Sequence, residues 1–387
     1  MNYEIKKLKA ENYDELLNLL NTAFGRDPKD GFDAVLPAMW ERDDEHMSKH
    51  RAIEIDGSLA AVTGIYPFKT MICGEEVTFA TIGNVATSPS HQGKGLMSQI
   101  MSHCVEDAKK MGIDVGRLGG QRQRYNRFGF ENAGFTYIHT LTAKNVKAYF
   151  GSISKEKLDN TYTFKRITFE DTALLEYCMK LHQSSNMYVD RLNLKRFYKT
   201  LCAWKKQTFV AFSGNEPVGY ICVSPEKDVI TEHRAENANA EFKMLCSWIL
   251  ENSVQSLTIY SAPYEVKLNE NLMKICEGTT TNMTSHYHVF NWCKVLNALL
   301  KLKATYSPLP EGEFTLKIEG YGNITFCGDK CNITEDKADL TLSHLDATRF
   351  LLGQMPTLSV FDIPEKCRAY ANAAFPLPLW WCDQDRV

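Results

Sequence analysis

The chain has 387 residues, more than one hydrophobic core usually organises, so two or three domains are expected. Apolar residues make up 44% and charged residues 24%, an ordinary globular balance, and a formal net charge of -3 gives no reason to expect nucleic acid as a partner. The twelve cysteines are scattered, and there is neither a signal peptide nor an apolar run of spanning length, which predicts a cytoplasmic protein with reduced thiols and no membrane partner.

In chain order, Tyr3 to Leu8 reads as a short strand, and Asn12 as the cap of a helix carrying Leu16, Leu17, Leu19, Leu20 and Phe24 on one stripe. Positions 26 to 50 hold Asp27, Asp30, Asp33, Glu41, Asp43, Asp44 and Glu45, which either attract a cationic substrate or form a solvated helix face. Phe32 and Trp40 in the same stretch either supply an apolar wall or, as aromatics at helical spacing, belong to the core. Arg51 to Ile55 and Leu59 to Met71 alternate around Asp56-Gly57-Ser58, which predicts a hairpin. Val77 to Thr87 is the next strand, and Gly83-Asn84 within it predicts a bulge.

That strand breaks at Pro89 and passes through Gln92-Gly93-Lys94-Gly95 into a helical segment, Leu96 to Met111. The two glycines let the backbone approach a ligand, and the first amides of the helix lack internal partners, so with the helix dipole they attract phosphate. Lys94 adds a positive charge. A plain surface turn before an amphipathic helix has the same appearance, and neither a P-loop nor a full G-x-G-x-x-G occurs at this turn.

Further on, the chain reads Gly119-Gly120-Gln121-Arg122-Gln123-Arg124-Tyr125-Asn126-Arg127-Phe128-Gly129-Phe130. The pair V-A-T-x-P-x-x-Q-G-K-G-L and Y-x-R-F-G-F resembles the GNAT superfamily of acetyl-CoA-dependent N-acetyltransferases, and more narrowly its Eis-like branch. Met97 stands where the general superfamily pattern has a small residue; Eis-like members tolerate a larger one, so the departure favours that branch.

The resemblance implies an α/β (α+β) fold of tandem GNAT domains followed by a sterol-carrier-like α+β domain, with acetyl-CoA as cosubstrate and no metal. It implies that Val85, Ala86 and Thr87 lie against the pantetheine arm, that Gln92, Gly93, Lys94, Gly95, Leu96 and Met97 hold the diphosphate, and that Asn126 bonds to the pantetheine or caps the turn. Tyr125 becomes the general acid, a phenol with a pKa near 10 that keeps its proton at neutral pH. The expected domains are 1–150, catalytic, 151–284, a degenerate second GNAT-like unit, and 285–387, the sterol-carrier-like scaffold. The second domain, opening at Gly151-Ser152-Ile153-Ser154, repeats the order of strands and helices without a glycine turn before its helix, so it is expected to form a wall and not a second active site. Cys327-Gly328-Asp329-Lys330-Cys331 reads as a hairpin turn, since a zinc site needs two further ligands nearby.

Acetyl transfer to an amine requires a base, a polarised thioester carbonyl and a proton for the departing thiolate. Phe79 to Val85 contains no carboxylate or histidine to serve as base. Eis-like enzymes use the carboxylate that ends the chain, which here is Val387; the family usually ends in an aromatic residue. The resemblance thus implies an N-acetyltransferase acting on a primary amine of a small cationic acceptor, aminoglycoside-like, polyamine or lysine-type, in a homo-oligomer of hexameric form. The alternative is a non-catalytic acyl-CoA or lipid-binding protein on the same scaffold.

Overall fold

A computed structural model describes residues 3–153, 158 and 162–386. Val387 and Ser154 lie outside the described residues. The chain groups into two compact units, one built from Met1–Ala133 and Ser285–Leu377, the other from Gly134–Thr284 and Pro378–Arg386.

In the first unit the expected hairpin forms from His50–Ile55 and Ser58–Ile72, and the latter pairs antiparallel with Glu75–Thr87. Val115–Leu118 then pairs parallel to this central strand, from Phe79 opposite Val115 to Ile82 opposite Leu118. A parallel step needs a crossover, and the helix Leu96–Lys110 supplies it. Leu96, Ile100, Cys104 and Ala108 recur every four residues along one face of that helix and pack on Ile53, Ala60, Ala61, Ile65 and Ala80. Parallel pairing stops at Ile82, so Gly83 to Thr87 run on without that neighbour. The expected bulge is present: the register shifts between Val62 and Gly64 opposite this point, and Asn84 has φ +55°.

Ser285–Leu377 contributes a four-stranded sheet in the order Lys330–Thr334, Gly322–Cys327, Glu313–Ile318, Leu340–Leu342. Its core is aromatic: Phe375 lies 5.2 Å from Phe326 and 5.4 Å from Phe350, ring centre to ring centre. Cys327 stands opposite Lys330 across a turn at Gly328-Asp329, which is the hairpin read from the sequence.

The second unit repeats the same order. Gln207–Ser213, Glu216–Val223 and Val229–Ala235 run antiparallel, and Val229–Ala235 steps parallel to Ser256–Ser261 through the helix Ala238–Glu251. Here the helix start is closed chemically. The Asn237 side chain accepts from the amides of Asn239 and Ala240, whereas Gly95 at the equivalent place in the first unit has no side chain to offer.

Pro378–Arg386 belongs to this second unit and is buried for most of its length. The Arg191 guanidinium, 3% exposed, donates to both oxygens of Asp385 at 2.9 Å and to Glu232 at 3.1 and 2.5 Å. Gln384 donates to the carbonyl of Thr200 at 2.7 Å and accepts from the Thr231 hydroxyl at 2.9 Å. The tail is therefore packed from Pro378 to Asp385, in line with its proline and aromatic content.

Candidate active site

A cavity of about 420 Å³ opens where the central strand leaves its parallel neighbour. Its wall carries Val85, Ala86 and Thr87 from the strand, then His91, Gln92, Gly93, Gly95, Leu96 and Met97 from the turn and the helix start. Eight of the residues expected to hold coenzyme thus line one space, on two consecutive segments of chain. Gly93 and Gly95 have φ +78° and +77°, a region that side chains disfavour, and a Cβ built on either would meet no protein atom, so the space beside them is open. Among the described residues, the amides of Gly95, Leu96 and Met97 donate to no backbone carbonyl. Unpaired amides at the positive end of a helix of fifteen residues make an anion site.

Lys94 is exposed on the same turn but is not part of the wall. Met97 is half-buried and packs against the apolar cluster of Ile82, Met101, Val105, Leu118, Tyr125 and Phe130, so part of its bulk is absorbed by the core beneath the turn. Asn126 is directed elsewhere: its amide donates to the Phe130 carbonyl at 2.8 Å and to Glu131 at 3.3 Å, and it does not line the cavity.

Tyr125 is buried in that cluster, on which the wall residues Val85 and Met97 also pack. Burial pushes its phenol above the ordinary value, opposed by the charge of Arg124 and by a hydrogen bond from it. The phenol therefore holds its proton at neutral pH. Arg124 also lines the cavity; in the sequence it stands just before the Y-x-R-F-G-F residues and carries no motif signal of its own. Arg127 lies across the Phe128 ring at 4.8 Å and donates to the Ser98 hydroxyl at 2.7 Å, on the first turn of the same helix. Ala23 and Phe24, from the end of the helix Tyr13–Phe24, close the remaining side. Phe24 is 50% exposed, and an apolar ring left in solvent at a cavity mouth is the signal that identifies it.

The acidic stretch divides. Asp27 accepts from the Lys29 amide, Asp43 from the His46 amide and Asp44 from the Ala10 amide, each at 2.7 to 2.9 Å, so these three carboxylates serve the local backbone. Phe32 and Trp40 are buried, in keeping with their spacing. Beside the bulge, the Tyr66 hydroxyl lies 2.7 Å from His50 Nε2 and accepts from the Asn84 amide at 2.5 Å. Burial lowers the pKa of His50 to about 4, so it is neutral and already bonded. Glu75 and Glu76 pair with Lys301 and Lys69 at the far end of the strand.

Residues 4–133 match the family model described as an acetyltransferase (GNAT) domain. A search of curated proteins returns no match. Among solved structures, a conserved protein of unknown function from Enterococcus faecalis, a probable N-acyltransferase, is similar at 17% identity with a TM-score of 0.69, covering 98% of each chain. A GCN5-related N-acetyltransferase from Anabaena variabilis is similar at 16% identity and a TM-score of 0.69, again over 98% of each chain. Eis1 from Mycobacterium abscessus is similar at 12% identity and a TM-score of 0.69, covering 97% of this chain and 99% of that one. At such identities the likeness establishes a shared fold over nearly the whole length. No helix among the described residues is long and apolar enough to cross a membrane.

Proposed function

With residues 4–133 forming an acetyltransferase (GNAT) domain and the chain accordingly an acyltransferase, we propose that it transfers the acetyl group of acetyl-CoA directly to a primary amine of a small cationic acceptor. The observation that carries this reading is the cavity whose wall joins Val85 to Thr87 with the open amides of Gly95 to Met97. A diphosphate on those amides leaves the pantetheine arm to follow Gly83 to Thr87, the part of the strand without a parallel neighbour. The amine lone pair attacks the thioester carbonyl, the carbon–sulfur bond breaks, and the departing thiolate takes its proton from Tyr125. The proton lost by the amine goes to a carboxylate, for which the reading keeps the chain end, Val387. It is supported by the strand from Phe79 to Val85 offering no carboxylate or histidine and by His50 beside the bulge being neutral and already bonded. Activity that survives residues appended after Val387 would remove that assignment.

Two further expected outcomes belong to this site. Gly95→Ala places a methyl group in the open space and a side chain in the left-handed region, so coenzyme A affinity should fall about tenfold, or about 1.4 kcal/mol, by calorimetry. Arg124→Gln removes a cation from the wall, and loss of one charge-assisted hydrogen bond of about 1.5 kcal/mol should likewise raise the acetyl-CoA KM about tenfold.

The acceptor is read as aminoglycoside-like, polyamine or lysine-type, the amines that a small cationic acceptor offers. Thiol release from acetyl-CoA across a panel of these amines tests the reading: amine-dependent release is expected. Tight coenzyme A binding with no release above background would favour the non-catalytic carrier. The same reading keeps domains at 1–150, 151–284 and 285–387, with the last as a scaffold in a hexamer; light scattering checks the assembly.

A further inference from the structure

Away from the cavity, two cysteines of the first unit face each other where the helix Trp292–Ala304 meets the strand Lys330–Thr334. Cys293 sits in the first turn of that helix, half-buried, while Cys331 is 1% exposed. The Cys331 thiol lies 3.8 Å from the Cys293 carbonyl. Asn297, one turn further along the helix, holds the Cys331 backbone on both sides, accepting from its amide at 2.8 Å and donating to its carbonyl at 2.9 Å. The register between helix and strand is thus fixed at this pair.

The surroundings of Cys293 favour a thiolate. It stands at the positive end of a helix, with the Cys331 thiol beside its carbonyl and its amide donating to the Tyr321 hydroxyl at 3.4 Å. The neighbouring Cys331 thiol, with the Tyr321 hydroxyl and the Ile333 backbone, draws the Cys293 thiol down to about 7, against burial. The proximity of Cys293 and burial push the Cys331 thiol up. Of the two, Cys293 is the half-buried sulfur a reagent reaches, and Cys331 is the enclosed one behind it.

We propose that Cys293 and Cys331 form a dithiol modification site, in which Cys293 attacks low-molecular-weight disulfides and Cys331 resolves the adduct. In the first step the Cys293 thiolate bonds to one sulfur of the reagent and expels the other half as a thiolate, which takes up a proton. In the second step Cys331 loses its proton and attacks the Cys293 sulfur, releasing the second half as a thiol. The sum is two protein thiols oxidised to one disulfide and one reagent disulfide reduced to two thiols. Nothing in the acetyl-transfer chemistry uses either residue, so the site stands independently of it.

The test uses the full chain with oxidised glutathione. Peptide mapping of the wild type should recover a Cys293–Cys331 cross-link, and Cys331→Ser should instead retain glutathione on Cys293. The pH dependence of Cys293 alkylation by iodoacetamide, followed in folded wild type, should have its midpoint near 7. Glutathione persisting on Cys293 of the wild type without a cross-link would overturn the resolving role. Labelling of the exposed Cys327 with Cys293 untouched would overturn the site itself.

Discussion

Tyr125→Phe should lower turnover about a hundredfold while leaving coenzyme A affinity unchanged, the lower end of what a positioned general acid contributes. The ring packs among Ile82, Met101, Leu118 and Phe130, and phenylalanine retains that packing, so the loss is confined to the hydroxyl and its bond from Arg124. Burial raises the Tyr125 pKa, and a thiolate leaving group is the one reactant that needs this proton. Steady-state kinetics alongside calorimetric titration of coenzyme A separate the two effects. An unchanged kcat removes the acid role, and a weakened affinity with unchanged kcat makes Tyr125 a packing residue.

Arg191→Ala should destabilise the protein by about 3–5 kcal/mol, because it leaves two carboxylates, Glu232 and Asp385, buried without their cation. Glu232 is fully enclosed and also accepts from the Tyr220 hydroxyl at 2.5 Å, so no rearrangement short of opening the tail returns it to water. Burial pushes the Glu232 carboxyl up, but Arg191 and His182 more than reverse this and hold it well below the usual range. Its contribution is therefore complete above the unfolded value of about 4.3 and is lost as pH falls towards the folded one. Urea denaturation of the variant at neutral pH, and of the wild type down an acid series, reads both effects. A loss under about 1 kcal/mol would mean that the cluster is hydrated and that the tail is held by its aromatic residues alone.

The first unit was legible in the sequence because its signals are local. Asp56-Gly57 fixes a hairpin, Gly83-Asn84 a bulge, and Gly93 with Gly95 a turn that leads into a helix with one clear apolar stripe. The strand Val229–Ala235 was not, since Glu232, His233 and Arg234 give it the look of a solvated connection. All three are buried, and their partners Arg191, Glu241 and Glu265 come from positions 8 to 41 residues away, pairings that no window of sequence displays. The strand Met187–Val189 escaped because three residues display no period, whereas the helix Leu194–Leu201 does carry its signal, with Leu194, Phe197 and Leu201 on one face after the Asn193 cap.

At the site, motif residues announced the turn and the strand, yet Arg124, Phe24 and Ala23 reached the wall through the packing of separate elements. Asn126 shows the converse. Its place in the motif suggested a coenzyme contact, but a buried neighbour, Glu131, with its charge also met by Arg122, draws the amide inward. Conserving a turn requires such internal bonds, and sequence alone does not distinguish them from ligand contacts.

The central claim is that the turn from Gln92 to Met97 holds the diphosphate of an acyl-CoA and thereby aims the acyl group along the strand beside it. A crystal structure with coenzyme A tests this most directly. The account predicts the diphosphate on the amides of Gly95 to Met97, with Arg124 alongside and the thiol near Tyr125. Coenzyme bound elsewhere, or a cavity closed by the Met97 side chain at saturating ligand, would contradict it.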